Sequence, residues 1–203
     1  VFDDFSMSNN AQTEPNIVNV ASGGNSAVTE IEAGGVAVIY NGARLEFDES
    51  RFRAAWRLSA SVPLIGVSDF DSLNNGEGDT FGLWANLDDY NQDLANTDDD
   101  EALEVSNFRK ALAWLDYGSD GFPSAREASI EWSGTGDYQD GNTWVANTVD
   151  TPGVTLSVQT LLPTSPLNSE NDLASPGFVD AIGEADGLLI TEILYNLSLI
   201  HIS

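Results

Sequence analysis

The sequence predicts an all-β sandwich with one short helix. Short apolar runs recur along the chain, polar turn signals separate them, and one run is apolar on both faces. In order, the candidate strands are 27–32, 35–40, 63–67, 80–85, 109–116, 128–132 and 143–147. The turn signals between or beside them include Gly23-Gly24, Gly34-Gly35, Asn41-Gly42, Asn75-Gly76 and Asp140-Gly141. In the second strand Val36, Val38 and Tyr40 alternate with Ala37 and Ile39. A strand apolar on both sides belongs in the middle of a fold, with a layer on each face.

The helix is expected just after Asp48-Glu49-Ser50, which can cap and charge its first turn. Phe52, Ala55 and Trp56 recur at i, i+3 and i+4, so they share one face; Arg51, Arg53 and Arg57 would point outward. This pattern predicts a surface helix closing one end of the sandwich. Residues 87–106 crowd Asp88, Asp89, Asp93, Asp98, Asp99, Asp100, Glu101 and Glu104 into a stretch with little hydrophobic period, which reads as an acidic insertion or long loop. Residues 148–175 are rich in Thr, Ser, Pro and Asn and read as an extended surface segment. Residues 189–196 form a last strand, with Ile190, Glu192 and Leu194 on one side and Leu189, Thr191, Ile193 and Tyr195 on the other.

A chain of 203 residues with 41% hydrophobic content and nineteen aromatics can bury a genuine core, despite a formal charge of −26. Thirty-three acidic residues face seven basic ones, a surface suited to saline surroundings or to divalent cations. The same charge disfavours both nucleic-acid binding driven by phosphate neutralisation and binding to anionic membranes. No apolar run approaches the ~20 residues of a membrane span, so no membrane insertion is expected. Without cysteine there is no disulfide, thiolate metal site or cysteine nucleophile. Val1-Phe2-Asp3-Asp4-Phe5 has neither a basic start nor an initiator methionine, which points to a sequence cut upstream.

Several stretches, in order, resemble the lamin-tail domain. They are Gly34 to Tyr40, then Phe52-Arg53-Ala54-Ala55-Trp56, then Leu73-Asn74-Asn75-Gly76 and Phe81-Gly82-Leu83-Trp84. Asp116-Tyr117-Gly118, Phe122-Pro123, Ala128-Ser129-Ile130-Glu131 and Gly141-Asn142-Thr143-Trp144 follow, and Ala174-Ser175-Pro176-Gly177 resembles the closing Gly-Ser-Pro-Gly signature with Ala174 in place of its glycine. The resemblance implies an immunoglobulin-like β-sandwich over residues 1–182 that lacks its first strand. Residues 183–187 would be a linker, and 188–196 the first strand of a second lamin-tail-like repeat. Residues 197–203, with the only histidine, His201, look like a non-native tail translated from adapter sequence, the alternative being a genuine amphipathic C-terminal strand. The missing first strand would leave an open sheet edge, and the 189–196 strand has the sequence to fold back and fill it. The acidic stretch near Asp98 exceeds the family pattern, and the resemblance assigns it no role.

The chemistry points away from catalysis. With His201 set aside there is no imidazole for a Ser-His-Asp triad or a histidine zinc site. Lys110, the only lysine, reads as a surface strand residue, and Glu131 beside Trp132 as an outward acid next to an inward ring. Trp84, Trp114, Trp132 and Trp144 read as core, whereas Tyr90, Tyr117 and Tyr138 fall near loops and could present rings to a glycan. The cofactor expectation is none, with calcium as the one candidate. Hard cations take several oxygen ligands, which Asp69, Asp71, Asn75, Glu77 and Asp79 offer in one loop and Asp98, Asp99, Asp100 and Glu101 in another. The pairs Asp116 with Asp120 and Asp137 with Asp140 are weaker, and no EF-hand spacing is present. The expected function is a non-catalytic interaction or structural module of a large exported, repeat-containing protein, extracellular or at the cell surface. Its partners would be an unidentified protein or glycan and further domains of the same polypeptide. An accessory domain of an exported hydrolase (a nuclease or phosphoesterase) and a carbohydrate-binding sandwich are the alternatives.

Overall fold

The computed structural model describes residues 2–6, 31, 34–41, 49–67, 79–95, 108–117, 121–125, 128–157, 172–178, 189–194 and 199–202. Among the described residues the protein is mostly β, with two α-helices and a short 3-10 turn. The six-stranded sheet has the order β3 (Leu64–Val67), β2 (Ala37–Asn41), β11 (Leu199–Ile202), β10 (Ile190–Leu194), β6 (Ile130–Trp132) and β7 (Trp144–Ala146). A three-stranded sheet runs β1 (Phe2–Ser6), β4 (Asp79–Leu83), β5 (Ala113–Tyr117), and β8 (Thr155–Leu156) pairs with β9 (Leu173–Ala174).

The two-faced apolar pattern of the second expected strand is what places β2. Ala37 and Ile39 enter one buried cluster with Phe81, Ala113, Leu115, Tyr117, Ile130 and Trp144, drawn from both larger sheets. Val38 and Tyr40 enter another with Phe52, Ala55, Trp56, Leu64 and Ala174. The strand is therefore covered on both sides, as its sequence requires.

The predicted helix is α1 (Glu49–Trp56), with Phe52, Ala55 and Trp56 buried as their spacing demands. It packs on the face of β2 and β3 rather than closing an end of the molecule: the Phe52 ring stacks on Tyr40 with centroids 4.9 Å apart. The reason is topological. β2 and β3 pair in parallel, and a parallel pair needs a crossover, which α1 supplies. Arg51 and Arg57 are exposed as expected, while Arg53 is half-buried and donates to Glu49 Oε1 at 2.8 Å and to the Ser59 carbonyl at 2.7 Å. The helix ends with Arg57 at φ 56°, Leu58 N–H donating to the Arg53 carbonyl (2.9 Å) and Arg57 N–H to that of Ala54 (3.3 Å). This is a left-handed C-terminal cap, built on arginine where glycine is usual.

Residues 87–95 correct the acidic-loop expectation: Leu87–Ala95 is a helix, α2. Asn86 Oδ1 accepts the Asp89 N–H at 2.9 Å, the geometry of an N-cap, and Asp88 and Asp89 sit where the helix dipole favours anions. Its inner face carries Tyr90, Asp93 and Leu94 at i, i+3, i+4, a period obscured because its middle member is an acid. Tyr90 and Phe108 set their edges against the Trp84 indole at 5.1 and 5.2 Å. Gly82 leaves room for that indole, since a Cβ there would collide with its ring. The strand expected over 109–116 starts only at Ala113, because the backbone of 109–111 is turned towards α2.

Three further strands depart from the expectations. β1, the run Phe2–Ser6, pairs antiparallel with β4. The 148–175 segment contributes β8 and β9, and Ser157, Asp172, Ala174 and Ser175 are buried rather than laid on the surface. The strand at 27–32 lies outside the described residues except for Ile31, which packs against the first cluster.

β10 pairs antiparallel with β6 through Glu192 opposite Glu131 and Ile193 opposite Ile130. The segment thus joins a strand of residues 1–182, the pairing that its folding back would require. Its other neighbour is β11, where Glu192 lies opposite His201, and β11 continues the ladder to β2 with His201 opposite Val38.

Candidate functional site

Glu192 is a buried acid at which the described residues bring several distant segments together. Alternation along β10 turns it away from the Ile193 register, into a space bounded by three other segments. Ser129 immediately precedes β6, Asn147 immediately follows β7, and Ser175 immediately follows β9. All four residues are 3% exposed or less.

Glu192 Oε1 accepts the Ser129 hydroxyl, the Asn147 Nδ2–H at 3.1 Å and the Ser175 backbone N–H at 2.8 Å. Its Oε2 accepts the Ser175 hydroxyl at 2.9 Å, and Asn147 Nδ2 also reaches Ser129 Oγ at 2.7 Å. Backbone bonds reinforce the knot, with Asn147 N–H donating to the Ser129 carbonyl and Ser129 N–H to that of Leu173, at 2.9 and 2.8 Å. A buried carboxylate costs free energy unless donors surround it, and here four donors do so. The serines serve as donors to the acid. Neither is presented to a substrate, because burial closes the approach to both hydroxyls.

A second buried carboxylate, Asp93, is fully enclosed beneath α2. Its Oδ2 accepts the Trp84 Nε1–H at 2.9 Å, the Lys110 N–H at 2.9 Å and the Ala111 N–H at 3.1 Å. Its Oδ1 accepts the Arg109 and Lys110 N–H groups, each at 3.1 Å. Lys110 is exposed as expected, but in a loop and not a strand.

The calcium candidates Asp69, Asp71, Asn75, Glu77, Asp98, Asp99, Asp100 and Glu101 lie outside the described residues. Asp79 is placed by its backbone alone, as the first residue of β4 opposite Tyr117. Among the described residues no group of three or more His, Cys, Asp or Glu could hold a metal ion. Asp116 Oδ1 accepts the Thr80 hydroxyl at 3.1 Å, and Asp120 is outside the described residues. Asp137 and Asp140 stabilise turns: Asp137 Oδ1 accepts the Gln139 N–H, and Asp140 Oδ1 accepts the Asn142 N–H and Nδ2–H at 3.0 and 2.8 Å. Those hydrogen bonds from Asn142 hold the Asp140 carboxyl below its ordinary range.

Two of the three tyrosines expected near loops are core residues. Tyr90 and Tyr117 are 1% exposed because both complete aromatic clusters, and Tyr138 is half-buried with its hydroxyl donating to the Trp114 carbonyl. Burial pushes the Tyr138 phenol up to about 12. Trp84 and Trp144 are core as expected, while Trp114 and Trp132 are half-buried. Glu131 is half-buried, and Trp132 packs against the first core cluster.

Sequence reasoning passed over Glu192 and Asp93. The signal for Glu192 was its place between Ile190 and Leu194 on one side of an alternating strand, where an acid is either at an edge or tied inside. For Asp93 it was the Tyr90-Asp93-Leu94 spacing after a capping asparagine.

No protein-family model, curated protein or solved structure matches this chain. Among the described residues no helix is long and apolar enough to cross a membrane.

Proposed function

We propose that this chain is a non-catalytic structural or interaction module, an immunoglobulin-like sandwich of the lamin-tail type within a larger exported, repeat-containing protein. The observation that carries the reading is the Glu192 knot. This buried acid has its described contacts with donors on three segments, and it ties the 190–194 strand to the rest of the sheet. The larger sheets also contribute side chains to one shared core, as the two layers of a sandwich do.

A module of this kind works by holding its shape under load and presenting a surface. The test pairs two measurements on the purified chain. Under mechanical extension it should unfold in one cooperative step at a force that drops in the Glu192→Ala variant. Against phosphodiester, phosphomonoester and glycoside reporters it should show no turnover above a buffer blank. Saturable hydrolysis of any reporter would overturn the reading in favour of an enzyme, and saturable binding on a glycan array would redirect it to a carbohydrate-binding sandwich.

A further inference from the structure

We propose that the β10–β11 hairpin is an exchangeable element, and that a second copy of this chain can seat its own hairpin between β2 and β6 to give a reciprocal, strand-swapped dimer. The hairpin occupies the middle of the six-stranded sheet. β11 hydrogen-bonds to β2 on one side and β10 to β6 on the other, so the hairpin is the bridge between the β3–β2 and β6–β7 pairs. Everything that recognises it belongs to the remainder of the chain: the ladder at 37–40, the ladder at 130–131, and the donors Ser129, Asn147 and Ser175.

Those contacts do not depend on which copy supplies the hairpin. In a two-fold exchanged dimer each hairpin residue would meet the same partners, which is why swapping is a low-cost route to association. The difference between the two arrangements then resides in the 179–188 connection and in the entropy of bringing two chains together. Tethering through residues 179–188 sets the effective concentration of a chain's own hairpin on the order of a millimolar, so exchange grows as protein concentration approaches that range.

Glu192 names the occupant. A strand shifted by one residue would turn its acid away and set Thr191 or Ile193, neither of them a carboxylate, against four hydrogen-bond donors. An arbitrary amphipathic strand meets that penalty, and an identical hairpin does not. The slot is therefore selective for this sequence, which a second copy carries.

The absence of native cysteine makes the test direct. Ala37 and Ile202 lie directly opposite across β2 and β11, a spacing that suits a disulfide. Full-length Ala37→Cys and Ile202→Cys chains are mixed in denaturant, refolded together at about millimolar concentration and oxidised. A covalent heterodimer is expected, and none when Ile202→Cys is paired instead with Val149→Cys, an exposed position outside the slot. Deleting 183–186 should raise the dimer fraction at fixed concentration by about tenfold, since a shorter connection no longer reaches back easily. The Ala37→Cys/Ile202→Cys double variant, refolded dilute, should close its disulfide within one chain. Monomers at every concentration, for both parent and shortened chains, would overturn the proposal. So would a double variant that cannot close its own disulfide, because the β2–β11 pairing would then be wrong.

Discussion

Asp93 and Glu192 are both buried acids met by hydrogen-bond donors, but they tie together very different lengths of chain. The described donors to Asp93 stand 9 to 18 positions away, and three are backbone N–H groups of a single turn. Those to Glu192 stand 17, 45 and 63 positions away, and most are side chains. A local tie closes a short loop and shapes it. A distant tie closes long loops, so it forms only when several segments have already met, and its loss is felt by all of them. The contrast separates a carboxylate that moulds one corner from a carboxylate that holds a sheet together.

The largest expected effect tests the second half of that contrast. Glu192→Ala strands four donors in the interior and should cost about 3–5 kcal/mol in denaturant unfolding. Amide exchange should accelerate together in β6, β9 and β10. Acceleration confined to β10 would break the comparison. Asp93→Ala should cost less, about 2–4 kcal/mol, with lost protection concentrated at the 109–111 amides and α2 while β10 stays protected.

Tyr138 sharpens the comparison by asking whether a long-range tie needs a charge. Its hydroxyl holds the Trp114 carbonyl as a neutral group, and burial raises its pKa to about 12 from the 10.0 of an unburied phenol. Below pH 10 folded and unfolded states both carry the proton, so the contribution is fully present. Between pH 10 and 12 the unfolded chain releases its proton first and stability falls, by about 2–3 kcal/mol in total. Tyr138→Phe should remove that alkaline slope in pH-dependent unfolding curves.

The smallest effect comes from a position outside both knots. Arg57→Gly and Arg57→Ala each lose the exposed hydrogen bond to the Leu156 carbonyl, but only glycine adopts φ 56° without strain. The glycine variant should be the more stable of the two by about 1 kcal/mol. Equal stabilities would show that the helix cap carries no strain.

How much was legible follows from the kind of signal involved. Helix α1 could be read because Phe52, Ala55 and Trp56 are all apolar, and β2 because both its faces are. What α1 covers could not be read, since nothing in its own residues encodes the parallel pairing of β2 with β3. α2 was missed because its inward face includes Asp93, which scores as solvent-loving until Trp84 and the 109–111 amides supply donors. The same blindness hid Glu192, whose partners are spread over three segments distant from it in sequence. Tyr90 and Tyr117 were placed near loops by their neighbours in sequence and are taken into the core by neighbours in space.

The central position of the hairpin also sets a clock. β2 and β6 are both made before β10 and β11, the strands that separate them, leave the ribosome. At typical synthesis rates β2 waits on the order of ten seconds for β11. During that interval two strand edges that the finished protein hides are open to any passing chain. Speed of completion, or a chaperone that covers those edges meanwhile, is therefore part of what this sequence needs in order to fold.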